Sequence, residues 1–143
     1  MRKVMVFGVF DRLHDGHRHF LRQARSEGDW LIAVVTQDHI VHELKGYVPE
    51  EHAGDRMEVL HREGLADRVV IGDPELGTWH VVRQHRPHII VLGYDQEKLQ
   101  EEIERAAGNW NWFFEVLIMQ PHKPETHHSR IHRAKDSRGK TPA

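Results

Sequence analysis

His14 and His17 stand three residues apart at the end of the stretch Val4 to His17, V-M-V-F-G-V-F-D-R-L-H-D-G-H. Imidazoles placed this way can donate hydrogen bonds to phosphoryl oxygens and stabilise charge that builds up when a phosphate is attacked. Val4 to Phe7 is an apolar run, Gly8 breaks it, and the residues after His17 take up helical spacing. A strand that turns at a glycine into a helix N-terminus offers an anion unpaired backbone N–H groups and the positive end of the helix dipole. Gly8, Val9, Phe10 and Asp11 would supply such amides. Gly16, between the histidines, lets backbone and ligand come close. Phe10 reads as core packing, and Asp11 either orders the loop or lies near the reacting phosphate.

The elements that must position these residues follow in order. His19 to Ala24 continues at helical spacing, with Phe20, Leu21 and Ala24 on one side, and stops at Gly28. Trp30 to Thr36 is a continuous apolar run suited to a strand buried on both faces, so strand, helix and strand form a right-handed βαβ unit. The pattern loosens from Asp38 to Lys45, and Lys45 to Pro49 reads as a loop. A helix is predicted from Glu51 to Glu63, a strand from Arg68 to Gly72, a helix from Leu76 to His85, a strand from Pro87 to Gly93, a surface helix from Glu97 to Ala107 and a strand from Phe113 to Met119. This alternation predicts a doubly wound, Rossmann-like α/β fold with a parallel sheet of about five strands, its ligands at the carboxyl ends of the strands. Gly8 and Gly93 should lie on that edge. Residues 1–133 are read as one domain and 134–143, which lack apolar periodicity, as a disordered tail.

The chain has 143 residues, enough for one full core. Its 20 Lys and Arg against 22 Asp and Glu leave a net charge of -2, which argues against a general nucleic-acid binder. Without cysteine there are no disulfides or thiolate metal sites. The N-terminal apolar run is too short for a signal peptide or membrane span, so the expectation is a cytoplasmic protein without membrane contact. Most of the 14 histidines read as surface residues. His128 and His132 would share a helix face and could bind a transition metal, but no third ligand stands in register, and no protein-held metal site is predicted.

The segment Gly8 to His17, G-V-F-D-R-L-H-D-G-H, resembles the G-T-F-D-x-x-H-x-G-H signature of the cytidylyltransferase-like nucleotidyltransferases. The resemblance spans about Lys3 to Arg133 and implies a Rossmann-like fold. It implies transfer of a nucleoside monophosphate from ATP or CTP to a phosphorylated acceptor, with release of pyrophosphate and with magnesium on the triphosphate. His14 and His17 would then stabilise the α-phosphorus transition state, mainly by positioning and charge. Val9 stands where the family usually has a hydroxyl residue. Lys45 matches a family lysine that approaches the phosphates, and Arg56 a family arginine at the start of a helix. Gly93-Tyr94-Asp95-Gln96 looks more like the G-x-D-Q of archaeal-type FAD synthases than the G-D-D of glycerol-3-phosphate cytidylyltransferases. Gly93, Tyr94 and Asp95 would border the base or ribose.

Family members close with a hydroxyl-rich turn and a helix start that hold the β- and γ-phosphates. Here His127, His128, Ser129 and Arg130 occupy that place, with His127 and His128 in the position of hydroxyls. They either donate hydrogen bonds in their stead or have lost the role. The favoured reading is adenylyl transfer to FMN, followed by cytidylyl transfer to a polyol phosphate such as glycerol 3-phosphate. A nucleotide-binding module with little catalysis is the reading from another class, and a histidine-based metal binder a third. Relatives resemble one another in pairing through this fold, which implies a homodimer.

Overall fold

Strict alternation of buried side chains to the two faces of a sheet is what the apolar runs of this chain produce. In the computed structural model, which describes residues 1–119 and 128–132, Val4 and Val6 point to one face and Met5 to the other. Leu31, Ala33 and Val35 likewise oppose Ile32 and Val34. Such runs have no solvent face, and their residues suit strands covered on both sides.

The strands are β1 (Lys3–Gly8), β2 (Trp30–Val35), β3 (Arg68–Ile71), β4 (Ile89–Gly93), β5 (Glu115–Met119) and β6 (His128–His132). They lie in the order β3-β2-β1-β4-β5-β6. The first five are parallel, as the sequence predicts, and β6 runs antiparallel to β5. The helices are α1 (Asp15–Arg25), α2 (Asp38–Lys45), α3 (Ala53–Glu63), α4 (His80–His85) and α5 (Glu97–Ala106). Leu21 and Ala24 of α1 and Leu60 of α3 fill the core on one face. Val82 of α4 and Ile103 of α5 fill the other with Trp110 and Phe114. Each large side chain so buried contributes about 1.5–3 kcal/mol.

Several boundaries differ from the sequence reading. Residues Asp38–Lys45, expected to be irregular, form α2. Ile40 and Val41 are buried in it, and Gly46 ends it in the left-handed conformation at φ 78°. The segment is two turns long, too short for periodicity to stand out. α3 begins at Ala53 rather than Glu51. α4 begins only at His80, because Trp79 itself is left-handed, at φ 54°, and cannot continue a helix backwards. Asp73 takes over the start of α4, its carboxylate accepting from the amides of His80 and Val81.

The larger correction concerns residues 128–132. The resemblance places a helix start here, whereas the backbone is a strand paired with β5. Four residues along a strand span about 13 Å, so His128 and His132 do not form the helical metal pair considered above. His127 and the segment 134–143 lie outside the described residues.

Gly28, the predicted helix stop, serves a close approach. A Cβ there would sit 2.7 Å from the Arg2 carbonyl oxygen and 2.7 Å from Val4 Cγ2. Because the first obstacle is backbone, Gly28→Ala is expected to lose about 1–3 kcal/mol by displacing the start of β1, measurable as a lower midpoint in urea unfolding; an unchanged midpoint would show that this corner yields freely.

Candidate active site

β1 ends at Gly8 and the chain turns through two residues in a conformation that L side chains rarely adopt, Phe10 at φ 54° and Arg12 at φ 49°. The first of these sends the Phe10 ring into the core, where it is 4% exposed. There it lies over Gly8, so close that a Cβ on Gly8 would fall 2.6 Å from the ring. Gly8 is therefore glycine because Phe10 covers it. The Phe10 ring also meets His17 edge-on at 5.7 Å. The turn is held from outside by Asp11, whose two carboxylate oxygens accept from the amides of Glu50 and Glu51 at 2.8 and 3.0 Å. Of the two roles open to Asp11, the geometry gives it the ordering of the loop.

α1 starts with a cap made by the two histidines. The Gly16 amide donates to His14 Nδ1 at 3.0 Å, and the His14 amide donates to His17 Nδ1 at 3.3 Å. The rings stack at 3.8 Å with 22° between their planes. A ring nitrogen that accepts a hydrogen bond carries no proton, so each imidazole holds its proton on Nε2, at the opposite edge. The helix start thus sets both tautomers and leaves two Nε2–H donors for the cleft. Gly16 is needed here as well, since a Cβ would lie 2.8 Å from His14 Cε1. Burial first, then the neighbouring His14 and Arg18, push the His17 pKa down to about 4, against a smaller pull from Asp11. His17 is a neutral donor at neutral pH.

These residues line one cleft of about 970 Å³ at the carboxyl edge of the parallel strands. Gly8, Val9, Phe10, Asp11, His14, Gly16 and His17 form its floor. Gly93, the last residue of β4, and Tyr94 and Asp95 beyond it form one flank, with Tyr94 exposed at the rim. Lys45, the last residue of α2, lies on the other flank with Leu44, Tyr47, Leu76 and Trp79. The two parts of that flank are pinned together where Gln37 donates to the Gly72 carbonyl and His39 meets the Pro74 carbonyl at 2.7 Å. Within residues 1–119, the cleft thus brings together every predicted site residue except Arg56.

Arg56 has another place. It is fully buried, donating from Nε to the Glu51 carbonyl, from Nη1 to the Val9 carbonyl at 2.6 Å and from Nη2 to the Asp38 carboxylate. All three nitrogens are engaged within the protein, and the guanidinium holds the turn after β1 from behind. Burial pushes the Asp38 carboxyl up, but the hydrogen bonds from Arg56 and then His52 outweigh it and hold the pKa below the ordinary range. His128, Ser129 and Arg130 belong to β6, opposite Met119, Ile118 and Leu117 of β5. Sequence reasoning missed Thr36, Trp79 and the α2 flank. Gly46 as a helix stop was the one signal that could have revealed α2.

Residues 5–133 match the profile of a family described as Cytidylyltransferase-like. The chain belongs to the cytidylyltransferase-like family. It is a nucleotidyltransferase. The FAD synthase of Thermococcus sibiricus is 43% identical to it over 111 residues, 75% of each chain. That of Pyrococcus horikoshii is 42% identical over 115 residues, 80% of this chain and 78% of the other. A lipopolysaccharide core biosynthesis protein from Thermoplasma volcanium superposes with a TM-score of 0.68 at 31% identity, covering 84% of this chain and 95% of that one. Among the described residues no group of three or more His, Asp or Glu could hold a metal ion, and no helix is long and apolar enough to cross a membrane.

Two measurements follow from this geometry. An unfolded histidine titrates near 6.5 and folded His17 near 4, so below pH 6.5 the unfolded chain takes up a proton that the folded chain refuses. The His17 contribution to stability falls from about pH 6.5 to about pH 4 and then levels off. An NMR titration of the His17 ring should have its midpoint near 4; a midpoint at 6 or above would contradict the buried, neutral ring. Arg56→Met should lose about 3 kcal/mol in urea unfolding, because it removes the guanidinium donors from Asp38 Oδ1 and from two carbonyls; a loss under about 0.5 kcal/mol, the range of ordinary surface changes, would show that the turn is held by other means.

Proposed function

We propose that the chain is an FMN adenylyltransferase, joining AMP from ATP to FMN and releasing pyrophosphate. The observation that carries the reading is one cleft that joins the histidine floor to two chemically different flanks. Similarity above 40% to FAD synthases supports the choice of reaction. In this reading an FMN phosphate oxygen attacks the α-phosphorus of ATP as the bond to the bridging oxygen of pyrophosphate breaks. His14 and His17 donate from Nε2 to the oxygens on which charge builds, and the amides at the start of α1 add to that field. Lys45 draws in the acceptor phosphate, and Gly93, Tyr94 and Asp95 border the nucleoside.

The α2 flank favours FMN over a polyol phosphate. Leu44, Tyr47 and Leu76 are 43%, 46% and 46% exposed, a cluster of unburied apolar side chains at a cleft mouth where a flat ring can settle. Glycerol 3-phosphate has no such ring to offer. Magnesium fits as an ion carried by the triphosphate, because such a complex needs few protein ligands and the described residues assemble no donor cluster of their own. Both oxygens of Asp11 already accept amide hydrogen bonds, which leaves it one lone pair per oxygen to offer such an ion. The ion neutralises charge on the phosphates when bound. The same reading includes a homodimer and a cytoplasmic location.

Incubating the protein with magnesium, ATP and FMN should yield FAD and pyrophosphate by mass and by phosphate assay, while CTP with glycerol 3-phosphate yields neither product. His14→Ala should lower kcat by about 10²–10³-fold with an unchanged circular dichroism spectrum. CTP-dependent transfer to the polyol phosphate would overturn the choice of FMN, and near-normal turnover by His14→Ala would remove the histidine pair from the chemistry.

A further inference from the structure

β1 and β4 are neighbours, but they part early. β1 keeps register with β2 through all six residues, Lys3–Gly8, whereas its pairing with β4 covers only Val4, Met5 and Val6 against Ile89, Ile90 and Val91. Both strands continue two residues further, to Gly8 and to Gly93, with β4 still paired to β5. The crevice between them is the switch point of the sheet, where β2 and β3 lie to one side and β5 to the other.

One side chain spans this crevice. Gln96 accepts from the Gly93 amide through Oε1 at 2.8 Å and donates through Nε2 to the Phe7 carbonyl at 2.9 Å. Its backbone N–H also closes the turn onto the Gly93 carbonyl at 3.0 Å. Gln96 stands at the N-cap of α5, yet its side chain makes no capping bond. The carboxamide is instead committed to the crevice. A donor and an acceptor are both required, one at each end.

We propose that Gln96 is a positioning residue that sets the distance and angle between the phosphate floor after β1 and the nucleoside flank after β4. This role rests on the nucleoside lying against Gly93, Tyr94 and Asp95, as in the function proposed above. A ligand that touches both turns gains from their mutual placement, because engaging one presents the other at a high effective concentration. A ligand that touches the floor alone gains nothing from it. Gln96 therefore acts on ATP as a whole and not on its phosphates.

Inorganic tripolyphosphate probes the floor by itself, so the test compares its affinity with that of ATP by calorimetry in wild type, Gln96→Ala and Gln96→Glu. Gln96→Glu keeps an acceptor for Gly93 but sets an oxygen against the Phe7 carbonyl. In both variants tripolyphosphate should bind as in wild type, while the preference for ATP over tripolyphosphate falls about tenfold, the value of two modest hydrogen bonds. An unchanged preference would overturn the proposal. Equal loss of both ligands would overturn it too, by showing damage to the floor or the fold. If wild type bound tripolyphosphate and ATP equally, the placement of the nucleoside would fail, a result distinct from any behaviour of the variants.

Discussion

The buried guanidinium of Arg56 is the interaction on which the site depends. It sits under the turn after β1 and bonds at once to the carbonyl of Val9, the carbonyl of Glu51 and the carboxylate of Asp38. Those three partners belong to the turn after β1, the approach to α3 and the first residue of α2. A fully buried charge is tolerated only when its donors are satisfied, so these segments are not free to choose their positions separately. Asp11 closes the arrangement from the other side through the amides of Glu50 and Glu51. The left-handed residues Phe10 and Arg12 persist because so much surrounding structure specifies them.

Strain, capping and tautomer then form one chain of cause. Phe10 turns inward and covers Gly8, its ring edge limits where His17 can stand, and His17 accepts from the amide of His14. His17 is neutral because burial, first of all, disfavours a charge on a ring stacked in this way. Neutral donors suit a centre whose charge grows only during reaction. In the proposed reaction such donors would stabilise the transition state without holding the ground-state phosphates as tightly as cations would.

The parallel sheet was legible because Val4 to Phe7, Trp30 to Val35 and Ile89 to Leu92 are apolar without interruption and are bounded by glycines or polar turns. The histidine motif was legible because glycines and imidazoles at those spacings have few other uses. What could not be read were features created by contact between distant residues. Arg56 looks like any arginine near a helix start; only Asp38 and Val9, 18 and 47 residues away, make it a buried strut. α2 is short and owes its stability to packing of Ile40 and Val41. Trp79 carries no sequence sign of a left-handed backbone. β6 was obscured by a family pattern that pointed to a helix start at the same residues.

The histidine cap also binds chemistry to local order. Each imidazole keeps its Nε2 proton because its Nδ1 accepts from a backbone amide, that of the N-cap His14 or that of Gly16 in the first turn of α1. If that turn frays, the rings lose their tautomers along with their positions. Under the proposed function, the free energy that keeps a single helical turn closed becomes a factor in turnover, and the hydrogen-exchange rate of the Gly16 amide measures the same opening that would switch the donors off.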